Sequence, residues 1–205
     1  MAFRKYTEIG DVLVAFDLNY ESKPFLSPAP RPAPALLHEE INYVLAKLPY
    51  QASEAAIGEM IIFPILKSVW RDFDERLMLW SHKSIKHSKD LGGVPDYLIA
   101  RQSKRGKVVL DKPLLAVVEA KKDDFQGGWA QCALEMYAMQ QINGQSETPV
   151  FGIVSNGDQW EFACLQKKTL TQMPLFLSLI PLDPVYAMLY ALLESCAHHA
   201  AQAAP

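Results

Sequence analysis

The sequence predicts an α/β protein, a central mixed β-sheet flanked by helices, on three observations. Helical stripes and short apolar runs succeed one another in the order helix, three strands, helix, two strands, helix. An Asn-Gly pair at residues 156 and 157 separates two alternating runs, which is the strongest short-range hairpin signal. Half of the 205 residues are hydrophobic, enough for one domain to bury a sizeable core.

Asp11 to Leu18 reads as a strand. KPFLSPAPRPAPA, residues 23–35, carries five prolines in thirteen positions, a density that resists helix and favours an extended connector. ALLHEEINYVLAKL, residues 35–48, follows as a short helix. Ser53 can cap a stronger one, SEAAIGEMIIFPILKSVW, in which Ile57, Ile61, Ile62, Ile65, Leu66 and Val69 form one apolar stripe. Pro64 falls inside this pattern and predicts a bend or a local break. RLMLWSHKSI, VPDYLIARQ and KVVLDKPLLAVVEAK, bounded by glycine, proline or charge, read as consecutive strands. WAQCALEMYAMQQING, from Trp129, has helical spacing and ends at Gly144. VFGIVSNGDQWEFACLQ supplies the two hairpin strands. The expected organisation is an N-terminal proline-rich arm with a short helix over residues 1–52, a core over 53–168, and a C-terminal helical extension and tail over 169–205.

A formal net charge of −3 excludes a chain that is basic throughout, yet the charge is uneven. Between Lys67 and Lys122 thirteen Lys and Arg face seven Asp and Glu, a local +6 that suits a polyanion or a solvated surface. Cys132, Cys164 and Cys196 are odd in number and far apart, which fits a reducing cytoplasm and argues against structural zinc. MAFRKYTEIG has no apolar core or cleavage pattern, so no signal peptide is expected. Leu170 to Leu193 is interrupted by Pro174, Pro181, Asp183 and Pro184 and predicts two buried pieces rather than a membrane span.

Residues i and i+2 of a strand project from one face, so Glu119 and Lys121 point together while Ala120 points into the opposite layer. If the preceding strand is an antiparallel neighbour, Asp96 approaches Glu119 across the ladder. Two carboxylates brought together near a core repel and lose hydration, a conflict that a divalent cation removes. Mg²⁺ takes oxygen ligands and keeps several waters, which suits Asp96, Glu119 and the main-chain carbonyl of Ala120. Lys121 can then orient a water or neutralise charge developing at phosphorus.

These residues resemble the PD-(D/E)xK, restriction-endonuclease-like nuclease superfamily. Pro95-Asp96 matches the PD, and Glu119-Ala120-Lys121 the ExK, 23 residues after Asp96. Glu54 looks like the helix acid that precedes the strands, Gln131 and Tyr137 look like the Gln…Tyr element of the following helix, and VFGIVSNGDQWEF is similar to the closing hairpin seen in proteins related to the N-terminal nuclease domain of type I restriction subunits. The resemblance spans about Ser53 to Leu165. It implies a restriction-endonuclease-like core in which Asp96 and Glu119 hold Mg²⁺, with Mn²⁺ as a substitute. It further implies that Lys121 assists the water, Glu54 adds a ligand or a supporting acceptor, and Gln131 supports the site. Glu59 rivals Glu54, because the two stand five positions apart on a helix, about 140° around it, and cannot share a face.

Plainer readings stand beside these. Asp96 after a proline suits a turn, and Glu119 with Lys121 suits a solvated strand end. Lys122 reads as a solvated neighbour, turned away from Lys121 by strand alternation. Lys83, Lys86 and Lys89, with His82 and His87, form either a solvated loop or a phosphate-contacting edge above the site. Trp129 and Trp160 read as packing residues, and Gly92-Gly93 and Gly127-Gly128 as turn residues. The expected activity is Mg²⁺-dependent hydrolysis of DNA phosphodiesters by a cytoplasmic protein, with two copies each cutting one strand. The alternative is a catalytically silent nucleic-acid-binding or adaptor protein that meets partners through its proline-rich arm or C-terminal region.

Overall fold

The computed structural model describes residues 6–88 and 91–203. In chain order the elements are α1 (Ile9–Phe16), β1 (Asn19–Ser22), α2 (Ala35–Lys47), α3 (Glu54–Ile57), a π turn (Gly58–Ile62), α4 (Phe63–Trp70), β2 (Leu77–Ser81), β3 (Ile85–Lys86), β4 (Gly92–Gly93), β5 (Tyr97–Arg101), β6 (Leu114–Ala120), α5 (Phe125–Asn143), β7 (Val150–Ser155), β8 (Gln159–Gln166), β9 (Thr169–Gln172), β10 (Leu177–Ser178) and α6 (Leu182–Gln202). The strands form one large sheet in the order β1-β9-β8-β7-β6-β5-β2, with β10 beside β8, and β3 and β4 form a separate ribbon. β6 pairs with β7 and β1 with β9 in parallel, and the remaining pairs are antiparallel. The protein is therefore α/β, with a mixed sheet between two helical layers.

Each face of the sheet has its own core. On one, α2, the α3–α4 helix and α6 pack Ile61, Ile65, Leu192 and Cys196 against Tyr97, Val118, Ala120 and Phe162. On the other, α5 and α1 pack Val12, Ala133 and Met136 against Leu98, Val117 and Val154. All six apolar positions of the stripe from Ile57 to Val69 are buried. The break signalled by Pro64 takes the form of the π turn, where the Phe63 amide reaches back five residues to the Gly58 carbonyl. Pro64 has no amide to give an α-helical bond, and widening the preceding turn accommodates that loss.

The Asn-Gly hairpin joins β7 to β8 in antiparallel register, from Val150 opposite Leu165 to Ser155 opposite Trp160. Gly157 has φ 88°, a left-handed conformation that a side chain would strain.

Several expectations change. Asp11 to Leu18 is not a strand, because α1 occupies Ile9–Phe16. Its Ile9, Val12, Leu13 and Phe16 follow helical spacing and rest against the α5 core, a stripe that overrides the strand preference of valine and phenylalanine. The stretch from Lys107 to Leu110 is a turn, and the third predicted strand begins only at Leu114. α5 starts four residues before Trp129, capped by the Asp124 carboxylate on the Gly127 amide at 2.8 Å, so Gly127 and Gly128 lie inside a helix. Gly92 and Gly93 form β4 and bring it close to the backbone at Ile85 and Lys86.

The first fifty residues contribute to the sheet and to both layers. β1 adds an outer strand beside β9. The proline-rich stretch has no helix or strand before Ala35 and runs along α6, where Ala33 donates its amide to Asp183 at 2.9 Å and Arg31 stacks on the Tyr190 ring. Leu170 to Leu193 divides into β9, β10 and the first half of α6. Among the described residues no helix is long and apolar enough to cross a membrane.

Candidate active site

Asp96 immediately precedes β5, and β5 runs antiparallel to β6 with Tyr97 opposite Val118. The next step of that register sets Asp96 opposite Glu119, as strand alternation and neighbour order require. Asp96 Oδ2 accepts the Ala120 amide at 2.8 Å, which anchors the acid at the end of its neighbour strand. Ala120 packs into the core below α3–α4, whereas Glu119 and Lys121 face α5.

The face beneath α5 carries a chain of polar contacts. Lys121 Nζ donates to Glu119 Oε2 and to Gln131 Oε1, each at 3.2 Å. Gln131 Nε2 donates in turn to Glu135 Oε1 at 3.4 Å. The helix comes this close because residue 128 is glycine: a Cβ there would stand 2.7 Å from Lys121 Cγ and 3.0 Å from Val154 Cγ1. Lys121 therefore lies along the first turns of α5 with its ammonium between two acceptors.

Glu119 is 1% exposed and Glu135 fully buried, and their carboxyls are in hydrogen-bonding contact. Treated as ionised, both are acceptors only, and Glu119 Oε1 and Glu135 Oε2 find no donor. A proton on one of them resolves the contact. Burial, reinforced by the Glu119 charge, holds Glu135 well above the ordinary carboxylate range, so Glu135 keeps the proton and donates. Burial also pushes Glu119 up to about 7, with Asp96 adding to the rise while the Glu135 bond and Lys121 oppose it. Burial alone would lower the Lys121 ammonium, but Glu119, Glu54 and Asp96 outweigh it and raise the lysine above its usual value. Lys121 is thus a permanent cation in the neutral range.

Glu54 opens α3, behind a Ser53 hydroxyl that accepts the Ala56 amide at 3.1 Å, and its charge reaches Lys121. Glu59 bears instead on Tyr97, whose phenol burial pushes up to about 12 with help from Asp96 and Glu59. The two acids act on different groups, Glu54 on Lys121 and Glu59 on Tyr97, with Gly58, where the π turn begins, between them. The hairpin steadies this end of the helix, with Tyr50 and Gln51 both donating to Asp158 at 2.9 Å.

Tyr137 does not join Gln131. It stacks on Phe16 of α1 with ring centroids 4.5 Å apart, on another side of α5. Lys122 is exposed, as expected. Lys83 lies over the Trp80 ring at 4.7 Å, Lys86 is exposed on β3, and Lys89 falls outside the described residues. Trp160 is fully buried and Trp129 nearly so, with its indole nitrogen donating to Glu161.

Two neighbours of the site escape sequence reasoning. Glu135 follows Gln131 by four residues, the spacing that shares a helix face, so its position is readable although its burial is not. His82, with φ 50°, donates its amide to the Asp96 carbonyl at 2.9 Å and holds Nε2 3.5 Å from Asp96 Oδ1. The sequence places it in the lysine-rich loop above the site but gives it no role beside Asp96.

Among the described residues no three His, Cys, Asp or Glu side chains converge as a metal-holding group. The oxygen donors at this site are the Asp96 and Glu119 carboxylates, Glu119 being closed off under α5 by its contacts with Lys121 and Glu135. All-oxygen donors in that number suit Mg²⁺, which retains water for the rest of its shell.

No family model matches the chain. It is similar to Crinkler effector protein 5 of Phytophthora infestans, 30% identical over 109 residues, a match covering 52% of this chain and 28% of that protein. The chain thus spans less than a third of the length of this curated relative.

Proposed function

We propose that the protein is a Mg²⁺-dependent nuclease with a PD-(D/E)xK, restriction-endonuclease-like core that hydrolyses DNA phosphodiesters. The observation that carries this reading is the meeting of Asp96 and Glu119 across adjacent antiparallel strands beside a lysine that stays charged. Such a cluster is costly for a fold to maintain without an ion, since one acid is buried and the other pushes its proton affinity up.

Asp96, Glu119 and the Ala120 carbonyl would hold Mg²⁺, or Mn²⁺ in its place, with Glu54 as a further acid at the rim. Bound there, the ion supplies Lewis acidity and lowers the pKa of its water. Lys121, raised above its usual value by the acids around it, acts here as a cation. Its ammonium, fixed by Glu119 and Gln131, stabilises negative charge as it gathers on a phosphoryl oxygen and orients water through its remaining N–H. Glu135, carrying a proton, holds the Glu119 carboxylate against rotation. The Asp96 side chain is 27% exposed, so the substrate phosphate enters from its side rather than through the closed floor under α5.

Incubation of plasmid DNA with purified protein tests this. Wild type should cut in Mg²⁺ and stop in chelator, and Lys121→Ala should be slower by at least about a hundredfold. Equal degradation by both proteins would remove the assignment, and tight binding without any cleavage would leave the silent binder in its place.

A further inference from the structure

The cations counted between Lys67 and Lys122 gather toward the two ends of β5. Lys83 and Lys86 lie in the segment between β2 and β4, before the Asp96 end. At the other end, Arg76, Arg101, Lys104 and Arg105 line a cavity of about 540 Å³ bounded on one side by Ala200 and Ala201 of α6. Only Glu75 and Asp111 oppose them in the lining, in a protein whose net charge is −3.

Arg101 is already committed, Nη2 to Asp111 at 3.2 Å and Nη1 to the Ala203 carbonyl at 2.9 Å. Among the described residues Arg76, Lys104 and Arg105 form no ion pair, and Arg76 rests 5.4 Å from the Phe73 ring. Gln102, also in the lining, has its Oε1 buried with no hydrogen-bond donor. Cations in that excess, with Arg105 only partly offset by Asp111, suit an anionic ligand. A nucleic-acid backbone supplies that charge as phosphate.

We propose that this cavity holds a backbone phosphate of the same nucleic acid that is cut at Asp96 and Glu119, an inference that rests on the nuclease reading above. Arg101 follows Asp96 by five residues of extended chain, roughly 16 Å at 3.3 Å per residue. One strand of a duplex presents a phosphate every 3.4 Å or so of helix axis, so at least about five nucleotides separate the two places, the path being longer because the cavity lies on the α6 face while Glu119 and Lys121 face α5. The cavity fixes how far from its cut the substrate is gripped.

The test is fluorescence anisotropy of the full chain, without divalent ions, against labelled duplex DNA and an RNA of the same sequence over a KCl series. The variant is Lys104→Gln/Arg105→Gln, two exposed loop residues whose change leaves both cores intact. The variant should bind more weakly, and the slope of log affinity against log salt should become shallower by about 0.9, the share of the one phosphate that is no longer neutralised. Unchanged affinity and slope, from a wild type that binds and cuts, overturns the cavity and spares the nuclease reading. A wild type that binds neither nucleic acid overturns both.

Discussion

Glu119→Gln separates what the buried acid does for the fold from what it does for the site. A carboxyl that titrates at 4.5 when free and at about 7 when folded favours the folded state while it is protonated. Its contribution is complete below 4.5 and is lost as pH rises to and through 7. The 2.5-unit difference corresponds to about 3 kcal/mol at pH 8 in the metal-free protein. Glutamine keeps the shape, cannot ionise, and removes that penalty. For a chain of this size about 2–4 °C of Tm accompanies each kcal/mol, so the variant should melt roughly 6–12 °C above wild type at pH 8. The gap should narrow toward pH 5, and the variant should be inactive. Calorimetric scans in chelator across that range give the difference curve, in which shifts from other titrating groups cancel. A variant that melts below wild type at pH 8, or a gap that does not change with pH, would show that Glu119 carries no such burden.

Gly128→Ala should press a methyl group against Lys121 Cγ and Val154 Cγ1, losing about 1–3 kcal/mol to overpacking against about 1 kcal/mol gained in helix propensity. Cleavage assays should show kcat falling more than KM rises, because the lysine is displaced while the surface that meets DNA is unchanged; wild-type kcat would refute the close approach. Mg²⁺ should raise the melting temperature of wild type more at pH 8 than at pH 6, since it needs Glu119 ionised and that carboxyl titrates near 7. Equal shifts at both pH values, or the same shift in Glu119→Gln, would place the ion elsewhere.

Much of the site is readable because strand alternation is rigid. Once LLAVVEA is a strand, Glu119 and Lys121 must share a face and Ala120 must leave it, and a neighbouring antiparallel strand brings Asp96 opposite. Glu54 and Gln131 are picked out by the resemblance to the nuclease superfamily and not by local pattern. The rest depends on partners far away in the chain. β1 finds its neighbour 150 residues later at Thr169, which no local pattern announces. α1 reads as a strand because valine and phenylalanine favour strands on average, while the α5 core rewards their helical spacing instead. Glu135 looks like an ordinary helix acid, since a sequence does not show which acids lose their water. Pro64 announces an irregular helix but not its kind.

The π turn gives that helix one residue more than a regular spiral needs. Upstream of it, Glu54 answers to the chemistry at Lys121; downstream, Ile65, Leu66 and Val69 answer to the interior. In an unbroken spiral one residue inserted ahead of Pro64 would rotate the upstream portion about 100° relative to the downstream one. The widened turn takes up one such residue, so the acidic portion and the greasy one need not share a single register.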